Sequence, residues 1–261
     1  MVVYRGLCDM NKLGVWPLPT HATVFMAPGK HFLTFPISKN KILNIVGFVS
    51  APWEEIGDVK ESWTLAGDKD AIAKEFKDYA PPIQTIIHNM DANPLKWILF
   101  DRESSPEWIF SGGKVTLLGD AAHAMCPHQG NSNPRYPSYL YVTFINNPRY
   151  LGAGAGQALE DGYVIGRVLS EYFQGSLTLG QSLCLYHTIR YPRSERVQVT
   201  SRQAGDLYEL NLDELSGLNY DDALPIVKAK LEDRMKWIWT EDVDDVYDKV
   251  RAKCTNSHAT L

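Results

Sequence analysis

Residues Lys114 to Leu118 form a short apolar run that stops at Gly119-Asp120, and no other feature of the chain restricts its fold as much. Such a run, closed by a turn signal, reads as a buried strand. Small residues follow it, Ala121 to Ala124 with His123 among them, and then Pro127, His128 and Gly130. Further on, Ala153, Gly154, Ala155 and Gly156 lead into residues 157–173. Apolar residues there, at 158, 159, 164, 165, 168, 169 and 172, recur at helical spacing. Strand, tight turn and helix in this order make the repeating unit of an α/β fold.

The rest of the chain supplies a sheet and more helix. Strands are expected at Met1 to Gly6, 22–27, 31–38 and 41–50, with Pro28-Gly29 and Lys39-Asn40 marking the turns of a meander. Helices are expected at 69–79 and 82–90, and a strand at Trp97 to Asp101. A basic helical stretch, 178–202, is expected to break at Pro192. From 206 the chain is acidic, with a helix near 222–236, a Trp237-Ile238-Trp239 cluster and a disordered last ten residues.

With 261 residues, 44% of them hydrophobic, the chain can bury a sizeable core. Its net charge is −5 and its basic residues are scattered, which argues against a nucleic-acid partner. Cys8, Cys126, Cys184 and Cys254 lie too far apart for a zinc motif and read as reduced thiols. The longest apolar runs are about ten residues, too short to span a bilayer. Met1 to Asp9 lacks the pattern of a signal peptide, so a cytoplasmic protein is expected.

The 119–161 region suits one kind of ligand. A carboxylate at a strand's C-terminal end, Asp120, can accept hydrogen bonds from a polyol such as a ribityl chain. Small residues after it let backbone approach a flat ring closely. A Gly/Ala-rich helix start presents free N–H groups that stabilise negative charge at the N1/C2 edge of a reduced flavin. The competing reading is an ordinary strand–loop–helix connection in which Asp120 merely caps a helix, and the Gly-Asp pair alone favours it.

The full strings are more specific. GDAAHAM, PHQG and AGAGQALED resemble the second flavin-binding motif of the class A FAD-dependent monooxygenases, the salicylate hydroxylase-like group. VYRGL (3–7), APGKHFLTFPI (27–37), LNIVGFV (43–49), KWILFDR (96–102), GGKVTLLGDAAH (112–123), LYHTIRYPRSERVQVTSRQAG (185–205) and DRMKWIW (233–239) stand in the order of that group. The resemblance implies an α/β protein with an incomplete Rossmann-like, three-layer FAD domain and a mixed substrate sheet. It places the substrate sheet at 1–102, the returning part of the FAD domain at 103–202 and a helical tail at 203–261. It implies FAD as cofactor, held by Gly119, Asp120, Pro127, Gly130, Ala153, Gly154, Ala155 and Gly156. NAD(P)H would serve as transient co-substrate, and O2 would hydroxylate a small aromatic substrate through a flavin C4a-hydroperoxide. Arg5, in YRGL, would position an anionic phenolate or carboxylate by a charge-assisted pair; the competing reading is an exposed strand arginine. Phe35 stands where relatives often carry a tyrosine, so no hydroxyl is available there. His123 and His128 read as loop histidines bonded to backbone. Arg190, Arg193 and Arg196 read as ion-pair partners of the acidic C-terminal third, and Trp53, Trp63, Trp97, Trp108, Trp237 and Trp239 as core or interface aromatics.

Two departures from the group stand out. It opens with a strand, a Gly-x-Gly-x-x-Gly turn and a helix that cradle the pyrophosphate, and it carries a further Gly-Asp segment. Neither pattern occurs here, which leads us to expect an N-terminal truncation, and a non-catalytic remnant unable to hold FAD is the rival of an enzyme. The group also runs from the equivalent of Gly130 straight to that of Ala153, whereas 22 residues, Asn131 to Gly152, intervene here. They carry Asn-Pro-Arg-Tyr twice, at 133–136 and 147–150. We read the segment as a translated, unspliced intron of a fungal-type gene: the flanking glycine codons can hold splice signals, and its removal keeps the frame. The competing reading is a genuine surface loop, since loops absorb insertions at little entropic cost. Sequencing the mature transcript decides between them. The expected message joins the codons of Gly130 and Ala153 directly; retention of the segment in every clone of an active protein would establish the loop.

Overall fold

The computed structural model describes residues 1–14, 22–51, 65–100, 102–128 and 153–258. The chain forms two compact units, Met1–Phe100 with Asp206–Ala223, and Asp101–Gly205 with Leu224–Leu261. The residues after 202 are therefore divided between the two units, where the sequence suggested one helical tail.

The first unit is built on an antiparallel six-stranded sheet, in the order β2-β3-β4-β1-β6-β5. Its strands are β1 (Val2–Asp9), β2 (Thr23–Ala27), β3 (Lys30–Ile37), β4 (Ile42–Val49), β5 (Leu65–Ala66) and β6 (Leu95–Ile98). The meander lies where its turn residues place it. Gly29 turns β2 into β3 at φ 71, and Ser38, Lys39 and Asn40 turn β3 into β4 with φ of 51, 57 and 63. Helices α1 (Lys69–Glu75) and α2 (Pro81–Asn89) follow β5.

Side chains alternate between the two faces of the sheet. Tyr4, Cys8, Phe32, Leu43 and Ile45 form one core with Ile72 and Phe76 of α1 and Ile83, Ile86 and Ile87 of α2. On the other face Val3, Val46 and Phe48 form a smaller cluster with Leu33 and Trp97 packed against it. The register also puts Arg5, opposite Val46, on this second face. Residues just after the last long helix of the second unit cover part of that face. His31 stacks on Phe48 at 4.3 Å and lies 3.3 Å from Glu209, which also accepts from Ser50.

The second unit starts with a hairpin of two-residue strands, β7 (Ile109–Phe110) and β8 (Val115–Thr116), and a one-turn helix, α3 (Asp120–His123). The long helices α4 (Ala153–Phe173) and α5 (Leu179–Tyr208) follow, the last three residues of α5 belonging to the first unit. Then come α6 (Tyr220–Leu231), α7 (Lys236–Thr240) and α8 (Val243–His258). The core centres on Trp108, fully buried among Val164, Val168, Leu185, Tyr186, Ile189 and Tyr247.

Three expectations are corrected here. The strand at 114–118 shortens to Val115–Thr116, because β7 is its only partner among the described residues; Leu117 still donates to the Trp108 carbonyl. Helix α5 continues through Pro192 for 30 residues. Ile189 and Arg190 before the proline and Arg193 and Val197 after it are all buried, and this packing offsets a lost backbone bond worth roughly 3 kcal/mol. The last ten residues were expected to be disordered, yet α8 runs to His258. Val243, Val246, Tyr247 and Val250 form an apolar stripe on it that packs on the Trp108 core.

Gly47 of β4 marks the tightest contact between sheet and helices. A Cβ there would stand 2.8 Å from the Phe76 ring, which is itself wedged against Phe32 and Tyr79. Gly47→Ala should therefore lower stability by about 1–3 kcal/mol, as overpacking a closed core does. The measurement is a denaturant midpoint, and an unchanged midpoint would show that α1 yields freely.

Candidate functional site

One buried carboxylate organises the second unit. Gly119 enters α3 at φ 55, a conformation that a side chain resists. Its N–H donates to Asp161 Oδ2 at 2.9 Å. At the other end of the same turn His123 donates from Nε2 to that oxygen at 2.6 Å. A carboxylate only accepts, so the imidazole is the donor. Arg190 of α5 donates from Nε to the second oxygen, Oδ1, at 2.8 Å. Asp161, His123 and Arg190 are all fully buried.

The network continues along the two helices. Arg190 Nη2 donates to the Gln157 side chain at 2.7 Å, and Nη1 reaches Glu160. Arg193 forks onto both oxygens of Glu160, at 2.8 and 2.9 Å, and donates to Glu241 at 2.7 Å. Arg196 lies over the Trp237 ring at 3.9 Å. Burial pushes the Asp161 carboxyl up, but the His123 hydrogen bond and the Arg190 charge outweigh it and hold the group below the usual carboxylate range. Burial likewise opposes ionisation of Glu160, and the bonds and charges of Arg193 and Arg190 prevail there too.

Helix α5 also grips the chain beyond α3. Gln198 donates to the Ala124 carbonyl at 2.6 Å, and Ser201 donates to the Cys126 carbonyl. At Gly205 a Cβ would stand 2.7 Å from His128 Nδ1, so only glycine lets the imidazole lie there. Successive turns of one helix thus hold alternate residues of the 124–128 segment.

Of the residues singled out in the sequence, this arrangement brings Gly119, Asp120 and Gly154 together. Asp120 is exposed, and its carboxylate makes no hydrogen bond or ion pair among the described residues. A Cβ on Gly154 would lie 4.0 Å from Asp120 Oδ1 and 3.8 Å from Met125, so the absence of a side chain keeps the helix start open beside that carboxylate. Ala153, Gly154, Ala155 and Gly156 form the first turn of α4, whose N–H groups have no partner within the helix. Pro127 is exposed. Gly130 and the 131–152 segment lie outside the described residues. Arg5 belongs to the first unit, where it is exposed and donates from Nε to Asn44 at 3.1 Å.

Several residues of the network escaped the sequence reading. The stripe of α4 expected to be buried included Ala158 and Leu159, yet both are exposed, Leu159 at 72%. The buried stripe is Gln157, Asp161, Val164 and Val168. Its helical spacing was visible, but polar residues at two of the four positions disguised it. His123 was expected to bond to backbone and bonds to a carboxylate. Arg190 was assigned to the acidic C-terminal third; its partners are on α4, and Arg193 divides its contacts between α4 and Glu241.

No family model matches the chain. It is 31% identical over 230 residues to a salicylate hydroxylase of Pseudomonas putida, a match that covers 87% of this chain and 46% of that protein. It is 29% identical over 241 residues to the FAD-dependent monooxygenase SAT7 of Stachybotrys chartarum, covering 90% of this chain and 46% of that one. Among solved structures, a salicylate hydroxylase substrate complex matches with a TM-score of 0.74 at 30% identity, over 95% of this chain and 56% of that chain. The relatives are thus FAD-dependent monooxygenases and salicylate hydroxylases, and the fold is the α/β fold of salicylate hydroxylase. The chain spans about half the length of the curated relatives it matches.

The ion network sets a dependence on pH. Asp161 and Glu160 have lower pKa values folded than unfolded, so the folded state binds fewer protons in acid. Their contribution is complete at neutral pH. It is lost as pH falls below the ordinary values of 4.5 for glutamate and 3.8 for aspartate. Arg190→Met takes from Asp161 its only guanidinium partner and leaves Glu160 to Arg193, and should destabilise the protein by about 3–5 kcal/mol at neutral pH. The same variant should lose less stability on acidification than the unsubstituted chain. Unfolding free energy measured from pH 7 to pH 3 checks both statements, and equal slopes would remove the arginine from the network.

Proposed function

We propose that this chain carries the substrate sheet and the second flavin-binding segment of an FAD-dependent monooxygenase that hydroxylates a small aromatic substrate with NAD(P)H and O2. The observation that carries this reading is the Asp120 carboxylate, exposed and uncommitted beside a helix start stripped of side chains at Gly154. Those features fit a polyol chain leading to a flat ring. The relatives named above support the choice of FAD.

Within this reading each residue has a task. Asp120 accepts hydrogen bonds from ribityl hydroxyls. The first turn of α4, Ala153 to Gly156, offers N–H groups to the electron-rich edge of the ring. Pro127 stands against the same edge, and Gly130, outside the described residues, is assigned to FAD by the resemblance alone. Bound FAD would accept electrons from NAD(P)H and activate O2. Arg5, its guanidinium held by Asn44, pairs with an anionic group on the substrate. Leu33, Val46 and Trp97 on the same sheet face supply apolar contact for a ring. Phe35, two pairs along the register from Leu33 and so on the same face, adds apolar surface and no hydroxyl. The protein's work is to bind, orient and exclude water, and no side chain need act as nucleophile. No helix among the described residues is long and apolar enough to cross a membrane, and we place the reaction in the cytoplasm.

The 261-residue sequence contains no Gly-x-Gly-x-x-Gly to cradle a pyrophosphate. For that reason FAD is not expected to stay with the chain through purification, and binding is measured by titration. Asp120→Ala should weaken it roughly 10- to 150-fold, the worth of one charge-assisted bond of about 1.5–3 kcal/mol. With FAD, NADH or NADPH, 18O2 and a panel of phenols and hydroxybenzoates, the product should carry one labelled oxygen. Arg5→Ala should raise KM for carboxylated substrates far more than for neutral phenols. A folded chain that neither binds FAD nor labels any product would count against the proposed function.

A further inference from the structure

The α3 turn holds only four residues, too few to keep a helical shape by itself in water. Both of its ends are tied to one atom. Gly119, immediately before Asp120, and His123, three residues after it, donate to the same Asp161 oxygen at 2.9 and 2.6 Å. The other oxygen is fixed by Arg190 at 2.8 Å, so the Asp161 rotamer cannot swing away. Within this clasp Asp120 alone among the turn's charged groups faces solvent with its carboxylate unspent.

We infer that Asp161 is a positioning residue, and that by clasping the two ends of the α3 turn it aims the Asp120 carboxylate at the hydroxyls of a flavin's ribityl chain. The inference rests on the proposed flavin site and adds to it. Asp161 touches no ligand; it acts through Asp120. His123 contributes its Nε2 proton to the clasp and serves neither as base nor as metal ligand. Ordering the backbone of a residue costs on the order of 1–2 kcal/mol, so a turn already held in shape binds more tightly than one ordered by its ligand.

The clasp makes a prediction that a merely structural role does not share: its loss should weaken contacts to the polyol and spare contacts to the ring. The probes are FAD and lumiflavin, which has the ring without the ribityl chain, titrated by flavin fluorescence into the full 261-residue chain. His123→Leu removes the donor; His123→Gln restores it, since the amide nitrogen of glutamine stands where the imidazole Nε2 stands. His123→Leu and Asp120→Ala should each lower the affinity for FAD relative to lumiflavin by about tenfold or more, whereas His123→Gln should stay within about threefold of the unsubstituted chain. Should His123→Leu fail to fold, Asp161→Asn, which keeps shape and loses charge, is read in the same way. If Asp120→Ala lowers the ratio and the clasp variants do not, the positioning role is overturned while the flavin site stands. If Asp120→Ala leaves the ratio unchanged, or if the unsubstituted chain binds neither probe, the flavin site is overturned and the positioning role with it.

Discussion

A carboxylate with no access to water cannot remain ionised unless protein groups replace its hydration, and Asp161 meets that demand with a backbone N–H, an imidazole and a guanidinium. Two of these donors are the ends of one turn, at Gly119 and His123, and the third comes from α5. Satisfying one side chain therefore fixes where the Gly119 turn, α4 and α5 meet. The guanidinium is itself a buried charge, and it is satisfied in turn by Gln157, one helical turn before Asp161, and by the adjacent Glu160. Arg193 and Glu241 extend the same logic to the C-terminal helices. Hydrophobic packing around Trp108 supplies the bulk of the driving force, but packing is tolerant of small shifts. The polar network has no such tolerance, because any group displaced from it is left buried and unsatisfied.

The first unit rests on a different principle. Its sheet separates its two faces by simple alternation, so β1 sends Tyr4 and Cys8 under the helices and Val3 and Arg5 to the opposite side. A charged residue can stand in the middle of a strand only on a face left partly open. Asn44 on the neighbouring strand directs the guanidinium across the sheet and keeps its remaining donors available. In the proposed function the two units would thus place their chemistry differently: the second on a turn held by buried charges, the first on a flat surface held by backbone pairing.

What could be read from the sequence divides along physical lines. The meander was legible almost to the residue, because turn residues are local signals: 22–27 became Thr23–Ala27 and 41–50 became Ile42–Val49. The Asp120 turn was legible as a motif. Its support was not, because Asp161 and Arg190 are polar residues on helices and read as solvent-facing until their partners are known. Nothing in one sequence joins His123 to Asp161. Pro192 misled for the opposite reason, as a strong local signal overruled by burial on both sides. The start of α4 came four residues earlier than expected, since Gly154 and Gly156 weaken a helix without stopping it.

The contact between Gly205 and His128 bears on how such a chain can change over time. A single hydrogen atom at 205 leaves room for an imidazole whose nearest atom would be 2.7 Å from any Cβ. The two positions are remote in sequence, yet 205 cannot gain a side chain while the ring at 128 stays where it is. A side chain at 205 becomes admissible only after the ring at 128 has gone or turned aside, and the ring can return only after the side chain has been lost. The pair therefore fixes the order of change in sequence space, and a lineage that has altered both must undo 205 before it restores 128.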